Sequence, residues 1–89
     1  MGFLLSNEMQ LFILEIHDSP LGIYLDEQSI YKNERSFFKA MAFLQSHEII
    51  NRVKIPVLNK TRVYLTAKGK MFALLLETMR DQETGKFNL

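Results

Sequence analysis

A chain of 89 residues supports one domain with a single hydrophobic core, and 47% hydrophobic with 24% charged residues is typical of a globular protein rather than a disordered one. The absence of cysteine excludes disulfides and thiolate metal sites, and small proteins without such links often gain stability by oligomerising. Neither a membrane span nor a signal peptide is visible, which predicts a cytoplasmic protein with no membrane partner.

The charges are unevenly distributed, although their net value is only +1. Between Met1 and Tyr31, with histidine neutral, all charged residues are acidic: Glu8, Glu15, Asp18, Asp26 and Glu27. Between Ile49 and Leu76 all are basic: Arg52, Lys54, Lys60, Arg62, Lys68 and Lys70. This bias suggests a basic surface in the second half of the chain.

The first third of the chain predicts two helices separated by a short extended segment. An apolar period predicts a helix over residues 6–17, where Asn7 and Gln10 have the spacing of a capping box. A proline soon afterwards ends this helix, because it disfavours helical geometry in the residue before it. Residues 22–24 then form a short extended piece, and residues 25–31 suffice for about two turns of a weak second helix.

A third helix is predicted over residues 34–47, with Asn33 as its N-cap. At about 100° per residue, its apolar side chains fall on one side, which consists of Phe37, Ala40, Met41 and Leu44. The opposite side is small and basic and consists of Arg35, Lys39, Ala42 and Ser46. The helix therefore has one face for the core and another that is free for a partner.

The apolar period changes to two from Ile49, which predicts a strand. After a bend over residues 56–60, a second strand over residues 61–65 directs Val63 and Leu65 to the same face. Together the two strands make a hairpin that contains no acid. Its basic residues are Arg52, Lys54, Lys60 and Arg62.

A last helix is predicted from the N-cap Thr66 to about Arg80. Its apolar residues cover well over half of its circumference, which is more than one core needs. They are Met71, Phe72, Leu74, Leu75, Leu76 and Met79. Residues 81–89 are predicted to form a frayed tail.

Three stretches resemble the winged helix-turn-helix class: ERSFFKAMAFLQSHEII, the basic hairpin, and YLTAKGKMFALL. In the last, Leu65 to Gly69 is similar to the L-T-x-K-G signature of MarR and PadR regulators. The resemblance covers residues 8–80. It implies one mainly α domain over residues 1–89, in the order helix, short strand, helix, helix, hairpin wing and C-terminal helix, with residues 1–5 as an N-terminal arm.

The resemblance implies a sequence-specific regulator of transcription that binds double-stranded DNA, expected to be a homodimeric repressor on a palindrome. Its third helix would enter the major groove, and its wing would lie on the backbone or in the minor groove. The DNA-binding residues would be Asn33, Arg35, Ser36, Lys39, Arg52, Lys54, Lys60 and Arg62. The dimer interface would consist of Phe3, Leu4, Leu5, Phe72, Leu76 and Met79.

Other interpretations stay open at this point. The basic hairpin could simply guard a strand edge against aggregation, and the acidic first third fits a winged-helix module that binds another protein. The lack of a separate sensor domain argues against a small-molecule effector, although a pocket at a dimer interface would allow one. No catalytic, metal or cofactor site is predicted, because His17 and His47 are too few for a metal and no P-loop is present.

Overall fold

The computed structural model describes the backbone of residues 5–83 and the side chains of residues 5–80. The elements in chain order are α1 (Asn7–His17), β1 (Ile23–Tyr24), a 3-10 turn (Leu25–Glu27), α2 (Glu34–Ser46), β2 (Ile50–Ile55), β3 (Lys60–Leu65) and α3 (Ala67–Glu83). The strands form one antiparallel sheet in the order β1, β3, β2. The predicted mainly α architecture with a hairpin is confirmed, and the short extended segment adds a third strand to that hairpin.

The N-cap of α1 is one residue earlier than the capping box predicts. The hydroxyl of Ser6 accepts a hydrogen bond from the backbone N–H of Met9 at 3.1 Å, so Ser6 rather than Asn7 is the cap. The side-chain amide of Gln10 donates to the carbonyl of Leu5 at 3.0 Å, outside the helix. The sequence therefore places the start of the helix correctly and the capping residue wrongly.

The caps predicted for the other two helices are confirmed. The Asn33 side chain accepts from the backbone N–H of Ser36 at 3.0 Å, which begins α2. The Thr66 hydroxyl accepts from the backbone N–H of Gly69 at 3.0 Å, which begins α3. Each cap satisfies one of the N–H groups that a helix start leaves without an internal partner.

The second predicted helix is shorter than expected, because it is a single 3-10 turn. Gln28, which follows the turn, has an extended backbone, and its side-chain amide bonds both the N–H and the carbonyl of Tyr31. The backbone N–H and the hydroxyl of Ser29 both donate to the carboxylate of Glu15. These side-chain bonds compete with the backbone bonds that would extend a helix.

The core lies between the three helices and one face of the sheet. Its buried side chains are Phe12, Ile13, Ile16, Tyr31, Phe37, Ala40, Met41, Leu44, Ile49, Ile50, Val63, Leu65, Ala73 and Leu76. They include the whole stripe predicted for α2. The Phe12 ring meets the rings of Tyr31 and Phe37 edge to face, at centroid distances of 5.7 and 5.8 Å. Burial raises the pKa of the Tyr31 phenol, so this ring stays neutral beneath α2.

The connection from α2 into β2 is a tight Schellman turn. The backbone N–H of Ile49 donates to the carbonyl of Leu44 at 2.9 Å, and that of Glu48 donates to Gln45 at 3.0 Å. Glu48 has a φ of 59°, a left-handed conformation in which glycine is more usual. This turn sets the direction in which the hairpin leaves the end of α2.

A second joint ties the start of α3 to the same turn and explains two residues of the L-T-x-K-G stretch. The backbone N–H of Thr66 donates to the carbonyl of Ile49 at 3.0 Å, so the threonine links β3 to the residue before β2. A Cβ at Gly69 would lie 2.1 Å from that same carbonyl oxygen. Gly69 is therefore required by the close approach of α3 to the backbone at Ile49.

Candidate nucleic-acid interface

Two of the basic residues predicted on the hairpin lie on the face of the sheet that packs on the core. Opposite residues in an antiparallel pair lie on the same face, and Ile50 pairs with Leu65 while Arg52 pairs with Val63. Because side chains alternate along a strand, Lys54 lies on this face too. Arg52 and Lys54 are both exposed, and neither makes an ion pair or a hydrogen bond with another described side chain.

The other two hairpin bases lie on the opposite face and are held by residues of the first strand region. Arg62 pairs with Tyr24 across β1 and β3, and its guanidinium donates to the Tyr24 hydroxyl at 2.7 Å. The Lys60 ammonium is 4.8 Å from the centroid of the same ring, 3.9 Å from the Asp26 carboxylate and 4.0 Å from that of Glu27. Both cations therefore have partners within the chain, whereas Arg52 and Lys54 have none among the described side chains.

The tip of the hairpin is apolar. Two backbone bonds close the turn, from the N–H of Leu58 to Ile55 and from that of Asn59 to Pro56, each at 3.1 Å. The Val57 side chain, at the tip, is 93% exposed, and that of Leu58 is 51% exposed. The basic side chains thus line the strands of the wing and not its end.

The outer face of α2 carries the predicted helix residues. Arg35, Ser36 and Lys39 are exposed, and their role in DNA contact stays a prediction. Asn33 is exposed as well, but its side-chain oxygen and the backbone N–H of Ser36 are bonded to each other in the cap. This bond occupies one of the backbone N–H groups that a helix start could otherwise offer to a phosphate.

One exposed residue on α2 is absent from the predicted interface. The ring of Phe38 is 50% exposed, whereas the ring of its neighbour Phe37 is 7% exposed in the core. The sequence places Phe38 on a flank of the helix, where an aromatic ring can pack on another helix or face solvent. The position of Phe38 between the basic residues Arg35 and Lys39 is the sequence feature that could have added it to the predicted interface.

Comparison with known proteins identifies a fold and no family. The chain is similar to the crystal structure of SSV1 F-93, with a TM-score of 0.63 and 23% sequence identity over 94% of both chains. The chain has the winged-helix fold. Neither the family models nor the curated proteins contain a match. The winged helix-turn-helix class is therefore supported, and the resemblance to MarR and PadR regulators stays a prediction.

The predicted dimer residues that belong to α3 lie on different sides of that helix. Leu76 is buried in the core of its own chain and Phe72 packs partly against it, so neither is on the free side of the helix. Met79 is exposed, Leu5 is half-buried, and Phe3 and Leu4 lie outside the described residues. The free side instead carries an apolar stripe, the α3 stripe, which consists of Met71, Leu74, Leu75 and Met79.

Other kinds of site are not apparent in the described part of the chain. Within it, no group of three or more histidine, aspartate or glutamate side chains has an arrangement that could hold a metal ion. None of its helices combines the length and the hydropathy that crossing a bilayer requires.

Proposed function

We propose that this chain is a cytoplasmic, sequence-specific regulator of transcription that binds double-stranded DNA as a homodimer and represses by occupying a palindrome. In this proposal α2 enters the major groove, and the wing lies along the adjacent backbone or in the minor groove. The observation that carries it is the pair Arg52 and Lys54, exposed on the wing without a partner in the described residues. Arg35 and Lys39 add charge on the outer face of α2.

The charge arrangement supports a polyanion as the ligand. A basic side chain that already has an acidic partner gains little from a phosphate, because the new contact replaces an old one. Arg52 and Lys54 have no acidic partner in the described part of the chain, so each can neutralise a phosphate and release condensed counterions. Binding through these residues should therefore weaken steeply as the salt concentration rises.

Charge reversal on the wing tests the proposal. The variant Arg52→Glu with Lys54→Glu should bind a pool of random-sequence duplexes at least about tenfold more weakly than the wild type. The log–log salt slope, which is the slope of the logarithm of the association constant against the logarithm of the salt concentration, should be smaller in magnitude by about 2, since each lost phosphate contact contributes roughly 0.9. Fluorescence anisotropy at several salt concentrations measures both quantities.

The matched control is Lys68→Glu with Lys70→Glu, which changes the net charge equally at the start of α3. Its affinity should stay within about threefold of the wild type, since local contacts dominate over net charge at ordinary ionic strength. Equal losses in both variants would indicate a nonspecific charge effect. Wild-type protein that does not bind DNA, or binds it without salt dependence, would remove the proposal.

The homodimer in this proposal uses the α3 stripe. Its side chains are between 47% and 66% exposed and recur at helical spacing, so they form one continuous apolar surface. A two-fold axis through this surface would give the two wings equivalent positions on a palindrome, with half-sites about 34 Å apart. Sedimentation of the wild type and of Leu74→Glu with Leu75→Glu tests the assembly: a dimer should become a monomer that still unfolds cooperatively.

A module that binds another protein is the second candidate, and the same stripe favours it. Under this alternative the α3 stripe contacts a different protein, and the basic side chains of the wing are simply solvated. Charge reversal at Arg52 and Lys54 distinguishes the two candidates. It should weaken DNA binding under the first candidate and leave binding of the partner protein unchanged under the second.

A further inference from the structure

The Phe38 ring is the large apolar side chain that α2 leaves in solvent, and this inference rests on the proposed function. The ring is half exposed, and the Phe37 ring lies behind it at a centroid distance of 5.4 Å. Phe37 is itself fixed in the core, against Phe12 and Tyr31. The exposed ring is therefore held on a rigid base, as a side chain that recognises a ligand requires.

We propose that Phe38 determines DNA specificity by contacting the 5-methyl group of a thymine in the major groove. In that groove thymine presents a methyl group, and cytosine presents an N4 amino group with no methyl. A phenyl ring gains from burying the methyl group and offers no acceptor for the amino group. The side chain therefore favours thymine over cytosine at one position of each half-site.

The spacing along α2 places this contact beside a second one. Arg35 precedes Phe38 by three residues on the exposed side of α2, which corresponds to a rise of about 4.5 Å along the helix. One base-pair step in DNA is about 3.4 Å, so the guanidinium and the ring would meet neighbouring base pairs. Because arginine favours guanine, each half-site should contain a guanine within one or two steps of the thymine.

The charges around the ring indicate where the DNA backbone would lie. Asp26, Glu34 and the single base Lys32 line an open groove together with Phe38, so the net charge beside the ring is negative and repels phosphates. Lys39 lines a different groove with Ser36 and Glu8, where the one acid and the one base balance and phosphates are not repelled. We therefore expect phosphates on the Lys39 side of α2 and base edges at Phe38, which is the arrangement that methyl recognition needs.

Uracil substitution tests the contact directly, since uracil is thymine without the methyl group. A duplex selected by the protein from a random pool is synthesised with uracil replacing thymine at one position at a time. For the wild type, one position in each half-site should weaken binding by about fourfold, as expected for one buried methyl-sized group. For Phe38→Ala, the same replacement should change the dissociation constant by less than about 1.5-fold, because the methyl group has lost its partner.

Two further measurements sharpen this result. At the thymine position, 5-methylcytosine should bind better than cytosine to the wild type and equally to Phe38→Ala. The control Gln45→Ala removes another exposed side chain of α2 and should keep the wild-type sensitivity to uracil. Circular dichroism shows whether each variant keeps its fold.

The outcomes separate this inference from the function on which it rests. Salt-dependent DNA binding without any uracil-sensitive position, or with equal sensitivity in Phe38→Ala, overturns the role of Phe38 and leaves the proposed function standing. Absence of DNA binding by the wild type overturns both.

Discussion

The wing carries two pairs of basic side chains, and the two pairs differ in their contacts with the rest of the chain. Arg52 and Lys54 on β2 are exposed on the edge strand of the sheet, with no partner among the described side chains. Lys60 and Arg62 on β3, the central strand, lie against Tyr24 of β1. The segment beside β3 therefore decides which basic side chains are available. To Lys60 and Arg62 only, β1 supplies the ring and hydroxyl of Tyr24, and the 3-10 turn after it supplies two carboxylates. A count of basic residues overestimates the charge that the wing can offer to DNA.

The largest expected effect concerns the joint on which both strands depend. Gly69→Ala places a methyl group 2.1 Å from the Ile49 carbonyl oxygen, so either α3 or the start of β2 must shift. Overpacking of this kind should destabilise the protein by about 3 kcal/mol, although alanine is the better helix former by about 1 kcal/mol. Thermal unfolding measures the loss, and Lys70→Ala on the exposed side of α3 should change stability by less than about 0.5 kcal/mol. A Gly69→Ala variant as stable as the wild type would contradict this explanation.

The second effect compares the two pairs directly, without DNA. Lys60→Ala with Arg62→Ala removes a hydrogen bond and two cation–π contacts to Tyr24, and should lower the free energy of unfolding by about 1 kcal/mol. The contribution of the Lys60 ion pairs is small, since the side chains are exposed and screened by solvent. Arg52→Ala with Lys54→Ala is the matched control on β2 and should change the free energy of unfolding by less than about 0.5 kcal/mol. Urea unfolding of both variants is the measurement, and equal losses would erase the distinction between the pairs.

The parts of the fold that the sequence predicts well depend on local patterns. The stripe of α2 follows from helical periodicity, and the caps Asn33 and Thr66 act on residues three positions away. The shared face of Val63 and Leu65 follows from alternation. In each case the residues that decide the structure are close together in the chain.

The parts that the sequence predicts poorly depend on distant residues. Tyr24 holds Arg62 across 38 positions, and Glu15 holds Ser29 across 14, so neither contact has a local signal. On α3 the apolar residues surround the helix, and periodicity alone does not distinguish Leu76 in the core from Leu75 in solvent. The excess of apolar surface was predictable, whereas the side on which it lies was not.

The smallest expected effect comes from freeing the Lys60 ammonium from its acidic neighbours. Asp26→Asn with Glu27→Gln removes the two carboxylates near the Lys60 ammonium and keeps the shape of both side chains. If Lys60 then reaches a phosphate, the log–log salt slope for DNA binding should steepen by about 0.9 and the affinity at low salt should rise by about threefold. Asp18→Asn with Glu77→Gln, which removes the same charge from the side where α1 meets α3, should raise affinity less and leave the slope unchanged. Anisotropy titrations measure both, and an identical gain in the two variants would show that the acids act through net charge and not by holding Lys60.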